Sequence, residues 1–318
     1  MSRPVVIQTE QLEPSPAAWL AERCELVVCP YTETERLNGL LGRAEGLIVR
    51  TYTKVNRELL AKAPNLKVVA RAGVALENID LGACRERGVQ VVHTPGANTR
   101  AVVELVTAFM LDALRPRPSL TGPVPAQRWH ELRNQMTAPK QLSDLTLGIW
   151  GFGRIGSAMA RVGAALDMRV IYNDLIEIPE RARSGARPVP VPELLAGSDI
   201  LTVHVDFRPG NRMLVNAEAC RQMKPEVVFI NTSRGLVVDP GAVASFMRGH
   251  PKAQAIIDVH DPDEPIGPRY PLLGIANVRL TPHIASGTET AKTNMSWVVR
   301  DVWRILSGEA PEFPAREL

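Results

Sequence analysis

Short apolar runs separated by polar stretches of helical length dominate the first hundred residues. Val5-Val6-Ile7, Leu26-Val27-Val28, Gly46-Leu47-Ile48-Val49, Leu66-Lys67-Val68-Val69 and Val89-Gln90-Val91-Val92 each leave room for one helix before the next run. β-branched strands alternating with helices in this way predict a parallel sheet wrapped on both faces, one small doubly wound domain. From Thr99 the period changes. Arg100 to Leu114 predicts a long helix stopped by Pro116 and Pro118, since proline cannot continue the hydrogen-bond ladder, and a loose proline-rich stretch runs to about Lys140. A second alternating series follows: Leu145 to Trp150, Met168 to Tyr172, Ile200 to Val203, Val227 to Ile230, Ala255 to Ile257 and Val278 to Leu280. Six such strands are the content of a dinucleotide-binding domain. Last, Thr288 to Ser307 sets Met295, Val298, Val299, Val302, Trp303 and Leu306 at helical spacing, which predicts a single closing helix packed on a core.

A chain of 318 residues is long enough for two such domains, and 45% hydrophobic with 22% charged residues is the composition of a globular α/β protein. Net charge is +3, with arginines and lysines scattered along the chain. The basic stripe or tail of a nucleic-acid binder is missing. No apolar run reaches membrane-spanning length, and the one before Gln8 and Glu10 is too short for a signal peptide, so the expectation is a cytoplasmic protein with no membrane partner. Cys24, Cys29, Cys84 and Cys220 show no paired spacing and read as reduced structural thiols, with no metal site.

The densest chemical signal is Gly151-Phe152-Gly153-Arg154-Ile155-Gly156, entered from an apolar strand and followed by a helical run from Ser157 to Leu166. Gly151 permits the tight turn, Gly153 lets backbone approach a pyrophosphate, and Gly156 lets helix and strand pack closely. The helix start then presents free N–H groups, those of Arg154 and Ile155 included, and a positive dipole to phosphate. Asp174, at the end of the next predicted strand, suits the ribose hydroxyls and repels an added 2′-phosphate, which makes NAD the expected cofactor. Without nucleotide, the same residues are a glycine turn and a solvated strand-end carboxylate.

Hydride transfer to a 2-oxo acid calls for a cation at the substrate carboxylate and a proton donor at the developing alkoxide. Three loops at predicted strand ends carry such groups: Asn231-Thr232-Ser233-Arg234-Gly235, Asp258 to Pro265, and Thr281-Pro282-His283-Ile284-Ala285. Together with Pro95-Gly96-Ala97-Asn98, Val103-Glu104-Leu105 and Met223-Lys224-Pro225, in this order, they make the chain resemble the D-isomer-specific 2-hydroxyacid dehydrogenases over nearly its whole length. The resemblance implies an α/β architecture of two doubly wound parallel-sheet domains. A Rossmann cofactor domain, residues 99–286, is inserted into a flavodoxin-like substrate domain formed by residues 1–98 and 287–318. It implies that Arg234 binds the substrate carboxylate and carbonyl, that His283 is the acid/base, and that Glu264 holds the imidazole and favours its protonated form. Asp258 matches the position that contacts the nicotinamide carboxamide, although anchoring its strand end explains it equally well. Arg71, Gly73 and Val74, in a carboxylate-binding turn, match substrate contacts, and so does Asn98, for which holding the inter-domain helix is an equal reading. A homodimer is also implied, with the stretch carrying Trp129 as its candidate arm.

The chain departs from the family pattern at several places. Ala75 replaces a second glycine and Glu77 an aspartate in the substrate turn, and the segment after Asp258 is one residue longer than usual. Counting back from Pro271-Leu272 selects Glu264 over Asp263 as the partner of His283. Asp206 stands where proline is common, with a cofactor contact and a strand cap both open. His204 and His260 read as packed or strand-end residues. The substrate expected is a small D-2-hydroxy or 2-oxo acid of glyoxylate, hydroxypyruvate or 3-phosphoglycerate type. The alternative is an NAD(H)-sensing binding protein of corepressor type, without turnover.

Overall fold

Apolar runs of the first hundred residues become five short strands, β1 (Val5–Gln8), β2 (Glu25–Val28), β3 (Gly46–Val49), β4 (Val68–Arg71) and β5 (Gln90–Val92). Helices α1 (Pro14–Ala21), α2 (Thr34–Leu41), α3 (Arg57–Ala61) and α4 (Leu81–Glu86) connect them. The computed structural model describes residues 3–115, 117, 119–262 and 264–315, so Pro116, Pro118 and Asp263 lie outside the described residues. All neighbouring strands pair in parallel, in the order β2-β1-β3-β4-β5, with Ile7 opposite Val27 on one side and Leu47 on the other. That is the flavodoxin-like doubly wound order. Where a helix starts, a short polar side chain takes a free N–H: Asn56 accepts from Leu59 and Asp80 from Ala83.

The chain divides into two compact units, residues 1–100 with 286–318, and residues 101–285. The second unit holds most of the helix α5 (Thr99–Leu114), then α6 (Ala126–Gln135), β6 (Thr146–Trp150), α7 (Arg154–Ala165), β7 (Arg169–Asn173), β8 (Arg187–Pro188), α8 (Val191–Gly197) and β9 (Ile200–Val203). It continues with α9 (Ala217–Gln222), β10 (Val228–Asn231), α10 (Pro240–Gly249), β11 (Gln254–Ile257) and β12 (Val278–Leu280). Its seven parallel strands run β12-β11-β10-β9-β6-β7-β8. The chain works outward from β6 to β8, then restarts at β9 on the other side of β6. Loops at the carboxyl ends of β6 and β9 therefore diverge and leave a crevice where ligands of open α/β sheets bind. Both faces of each sheet are covered by apolar clusters, with Phe229, Leu147 and Ile149 wholly buried in the second unit and Ile7, Leu47 and Ile48 in the first. No helix among the described residues is long and apolar enough to cross a membrane.

Three expectations are corrected. The second sheet has a seventh strand, β8, whose two residues include Pro188 and carry no readable period. The proline-rich stretch contains α6, a helix with no buried residue and therefore no apolar stripe. The closing segment is two helices, α11 (Glu289–Ser296) and α12 (Val299–Leu306), because a turn at Trp297 and Val298 interrupts the ladder. There Val298 N–H bonds Met295 O and Arg300 N–H bonds Trp297 O, one residue short of the α-helical spacing. Val298, Val299, Val302 and Ile305 are buried in the core of the first unit.

Asp301 on α12 is 3% exposed, and its carboxylate accepts hydrogen bonds from the N–H groups of Glu312 and Phe313 and from the Arg304 guanidinium. Asp301→Ala strands two donors beside a buried face, so it is expected to cost about 2 kcal/mol. Urea unfolding checks this, and a loss under about 0.5 kcal/mol, the range of a neutral surface change, would show that the carboxylate does not tie down the final segment.

Candidate active site

Each functional side chain of the second unit sits just past a strand, at the carboxyl edge of one sheet. At β6 the chain turns through Gly151, whose φ of +94° lies in the left-handed region that glycine tolerates. A Cβ there would lie 2.7 Å from the His204 backbone, and one at Gly156 would lie 2.1 Å from the Gly151 carbonyl oxygen. A Cβ at Gly153 would meet nothing within 4 Å, so open space lies beside the residue that caps α7. Tight backbone packing below and room above the first helical N–H groups, where Arg154 and Ile155 stand, is the form a pyrophosphate cradle requires. Asp174 follows β7 and accepts the Phe152 N–H at 2.5 Å and the Ile176 N–H at 3.1 Å, so it is fixed against the glycine loop. These residues fit a dinucleotide.

After β10, the fully buried Asn231 shapes the turn that carries Arg234. Its Oδ1 accepts the Ser233 N–H and hydroxyl, and its Nδ2 donates to the Arg234 carbonyl. The Arg234 guanidinium donates to the Ser233 carbonyl at 2.5 Å. Gly235 then packs on the next loop so closely that a Cβ would lie 2.1 Å from the His260 carbonyl carbon. The arginine turn and the loop after β11 are thereby held together.

His283 Nδ1 and Glu264 Oε2 are 2.8 Å apart. The second Glu264 oxygen accepts the His260 N–H at 2.9 Å. Burial works to raise the Glu264 carboxyl, but these hydrogen bonds and the nearby imidazoles outweigh it and hold it below the usual carboxylate range. His260 joins the two loops. Its Nε2 donates to the Thr281 carbonyl at 2.9 Å, which leaves Nδ1 to accept from the Tyr270 hydroxyl at 3.3 Å. His283 itself has φ +54°, an unfavourable conformation for a residue with a side chain, of the kind that collects at functional sites. What holds it there is Asp258. This wholly buried carboxylate accepts the Thr281 hydroxyl at 2.5 Å, the Ile284 N–H at 2.9 Å and the Ala285 N–H at 2.8 Å. Of the two roles open to Asp258 in the sequence, anchoring is the one its contacts describe.

In the first unit, Arg71 ends β4 and its Nε donates to Asn78 Oδ1 at 3.2 Å, while Asn78 Nδ2 donates to the Arg50 and Thr53 carbonyls. The guanidinium lies against Gly73, and the Gly73 carbonyl accepts both the N–H and hydroxyl of Thr94. His93 Nδ1 donates to the Val74 carbonyl at 2.7 Å. Asn98 closes the turn before α5. The structure thus gathers Arg71, Gly73 and Val74 at one sheet edge, and the glycine motif, Asp174, Arg234, Asp258, Glu264 and His283 at another. Asn231 and His260 as organisers were missed; both act through backbone groups distant in sequence, which no local spacing reveals.

A Rossmann-type sheet with a glycine loop at its switch point and an arginine and a histidine–glutamate pair along the same edge defines a class of two-unit dinucleotide-binding proteins. The family model "D-isomer specific 2-hydroxyacid dehydrogenase, NAD binding domain" matches residues 107–285. The chain is 37% identical over 258 residues to a D-3-phosphoglycerate dehydrogenase of Archaeoglobus fulgidus, an alignment that covers 81% of this chain and 48% of that protein. To a glyoxylate reductase of Aeropyrum pernix it is 32% identical over 309 residues, covering 95% and 92%. A solved D-lactate dehydrogenase of Aquifex aeolicus, complexed with NAD and lactic acid, superimposes with a TM-score of 0.80 at 26% identity over 96% of each chain. The chain spans about half the length of the phosphoglycerate dehydrogenase it matches. It belongs to the D-isomer-specific 2-hydroxyacid dehydrogenase family.

His204, packed behind the glycine turn, is partly buried with Nδ1 sealed from solvent and unpartnered, and burial pushes its pKa down from 6.5 to about 3. The folded chain stays unprotonated there while the unfolded chain takes up a proton, so this contribution to stability is complete above about pH 6.5 and erodes as pH falls towards 3. Urea titrations between pH 5 and 8 are expected to show up to about 1.4 kcal/mol per pH unit more slope in the wild type than in His204→Gln. Equal slopes would mean that His204 does not titrate on unfolding.

Proposed function

We propose that this chain is an NAD-dependent dehydrogenase that moves a hydride between NAD(H) and a small D-2-hydroxy or 2-oxo acid. The observation that carries the reading is the 2.8 Å His283–Glu264 pair, set on the same sheet edge as the glycine loop. In the reducing direction Arg234 takes the substrate carboxylate and polarises the carbonyl. With Nδ1 held by Glu264, His283 has Nε2 to donate a proton to the carbonyl oxygen as it becomes a hydroxyl. The Glu264 carboxylate steadies the imidazolium before transfer, and in oxidation His283 receives the proton instead. When bound to Gly151, Gly153, Arg154, Ile155, Gly156 and Asp174, the nicotinamide cofactor gives or accepts the hydride. Asp258 acts as a positioning residue, through the loop that carries His283. Residues 99–286 form the cofactor domain in this reading and residues 1–98 with 287–318 the substrate domain, where Arg71, Gly73, Val74 and Asn98 contact the acid. Glyoxylate, hydroxypyruvate and the oxidised form of 3-phosphoglycerate are the substrates to try first.

NADH oxidation with a panel of 2-oxo acids tests the reaction. His283→Ala is expected to lower kcat by about 10²–10⁴-fold, and Glu264→Gln to lower it and displace the pH profile. Unchanged turnover in His283→Ala would remove its proton-transfer role; NADH binding without turnover of any acid would leave a sensor.

The reading includes a cytoplasmic homodimer. Four buried free thiols suit a reducing compartment, and α6 has no buried residue while its Trp129 is 46% exposed, as an arm awaiting a second copy would be. Light scattering is expected to give twice the chain mass for the wild type and a larger monomer fraction for Trp129→Glu. A wild-type monomer at all concentrations would refute the dimer.

A further inference from the structure

The loop after β9 holds a charge cluster that the proposed reaction does not use. Both Nε (2.7 Å) and Nη2 of Arg208 donate to the Asp206 carboxylate, a two-pronged ion pair. Asn211, 8% exposed, donates to the Asp206 carboxylate at 2.9 Å and its carbonyl at 3.0 Å, so the carboxylate is clamped from both sides. The pair itself is half open to solvent, with side-chain exposures of 42% for Arg208 and 38% for Asp206. It is therefore rigidly aimed yet accessible, which an ordinary surface ion pair is not.

Its place in the sheet gives it meaning. β7 and β9 flank β6, so Asp174 and the Asp206–Arg208 loop stand on either side of the glycine loop, about 10 Å apart at the strand ends. The guanidinium feels the Asp174 carboxylate as well as Asp206. Asp174, Asp206 and Arg208 together carry one net negative charge. Asp174 is the group that suits the ribose hydroxyls, so the charge faces the position where NADP carries its additional phosphate.

Building on the NAD reading above, we infer that Arg208, restrained by Asp206 and Asn211, sets together with Asp174 the choice between NAD(H) and NADP(H). While Asp206 takes the Nε and Nη2 side of the guanidinium and neutralises its charge, the remaining N–H groups of Arg208 offer a 2′-phosphate no uncompensated charge, and the Asp174 carboxylate repels it. Removing the Asp206 charge frees a planar donor of the geometry that binds phosphate.

Equilibrium binding of NADH and NADPH, followed by nucleotide fluorescence in the absence of any 2-oxo acid, tests this in the full chain. Asp206→Asn keeps an acceptor for Asn211, and it is expected to lower the Kd(NADPH)/Kd(NADH) ratio about tenfold, an effect that shrinks with added salt. The double variant Asp206→Asn with Arg208→Gln should lose that gain, and Arg208→Gln alone should raise the ratio. A ratio within twofold of wild type in Asp206→Asn, or a gain that persists in the double variant, overturns the inference. Should Asp206→Asn fail to fold, an unchanged ratio in Arg208→Gln does the same. A wild type that binds neither dinucleotide removes the cofactor reading and this inference with it. Firm NADH binding with an unmoved ratio overturns this inference alone.

Discussion

Everything at the candidate active edge depends on a carboxylate that takes no direct part in the proposed chemistry. Asp258 is sealed from solvent and accepts three donors, all from the loop that carries His283. An ionised carboxylate is costly to bury unless its oxygens are satisfied, so the loop must fold back on Asp258 or leave that charge unpaired. The Ile284 and Ala285 N–H groups can reach it only if the chain turns sharply just before them. His283 takes that turn, with its left-handed backbone. Strain at the imidazole and satisfaction of the buried charge are thus two sides of one constraint.

Around this anchor the loops form a closed circuit. Glu264 accepts from His283 and from the His260 backbone, the His260 ring donates to Thr281, and Thr281 leads back through the chain to His283. Gly235 brings the Arg234 turn onto the same loop. Networks of this kind resist piecemeal change, because each bond helps to hold the geometry of the next. Arg234, Glu264 and His283 are therefore placed by the ends of three neighbouring strands rather than by flexible side chains.

Much of this was legible in the sequence because buried parallel strands are nearly continuous apolar runs, and eleven of the twelve strands among the described residues announced themselves in that way. The glycine motif was equally readable, since Gly151 and Gly156 answer to steric demands that no other residue meets. Where periodicity failed, so did the reading. β8 is too short to show any, α6 has no buried face, and the turn between α11 and α12 preserves the apolar spacing while breaking the ladder. Glu264 emerged only by counting register from Pro271-Leu272. Anchoring by Asp258 stood in the sequence as one of two roles, but the bridge through His260 and the clamp on Arg208 were illegible, because each rests on a side chain's partners in folded space.

The two terminal stretches of chain build one unit between them. Val298, Val299, Val302 and Ile305 complete the core of the first sheet's unit, and Phe313 and Ala315 bond to His93 and Val91 beside β5. During synthesis, residues 1–100 precede the inserted unit yet lack part of their core until residues 286–318 have emerged. The inserted unit, contiguous from 101 to 285, has its full complement well before then. Domains fold as units once their sequence is available. Completion of the two cores is thereby reversed relative to the order of the chain, and strands β1 to β5 wait longest for the helix that covers them.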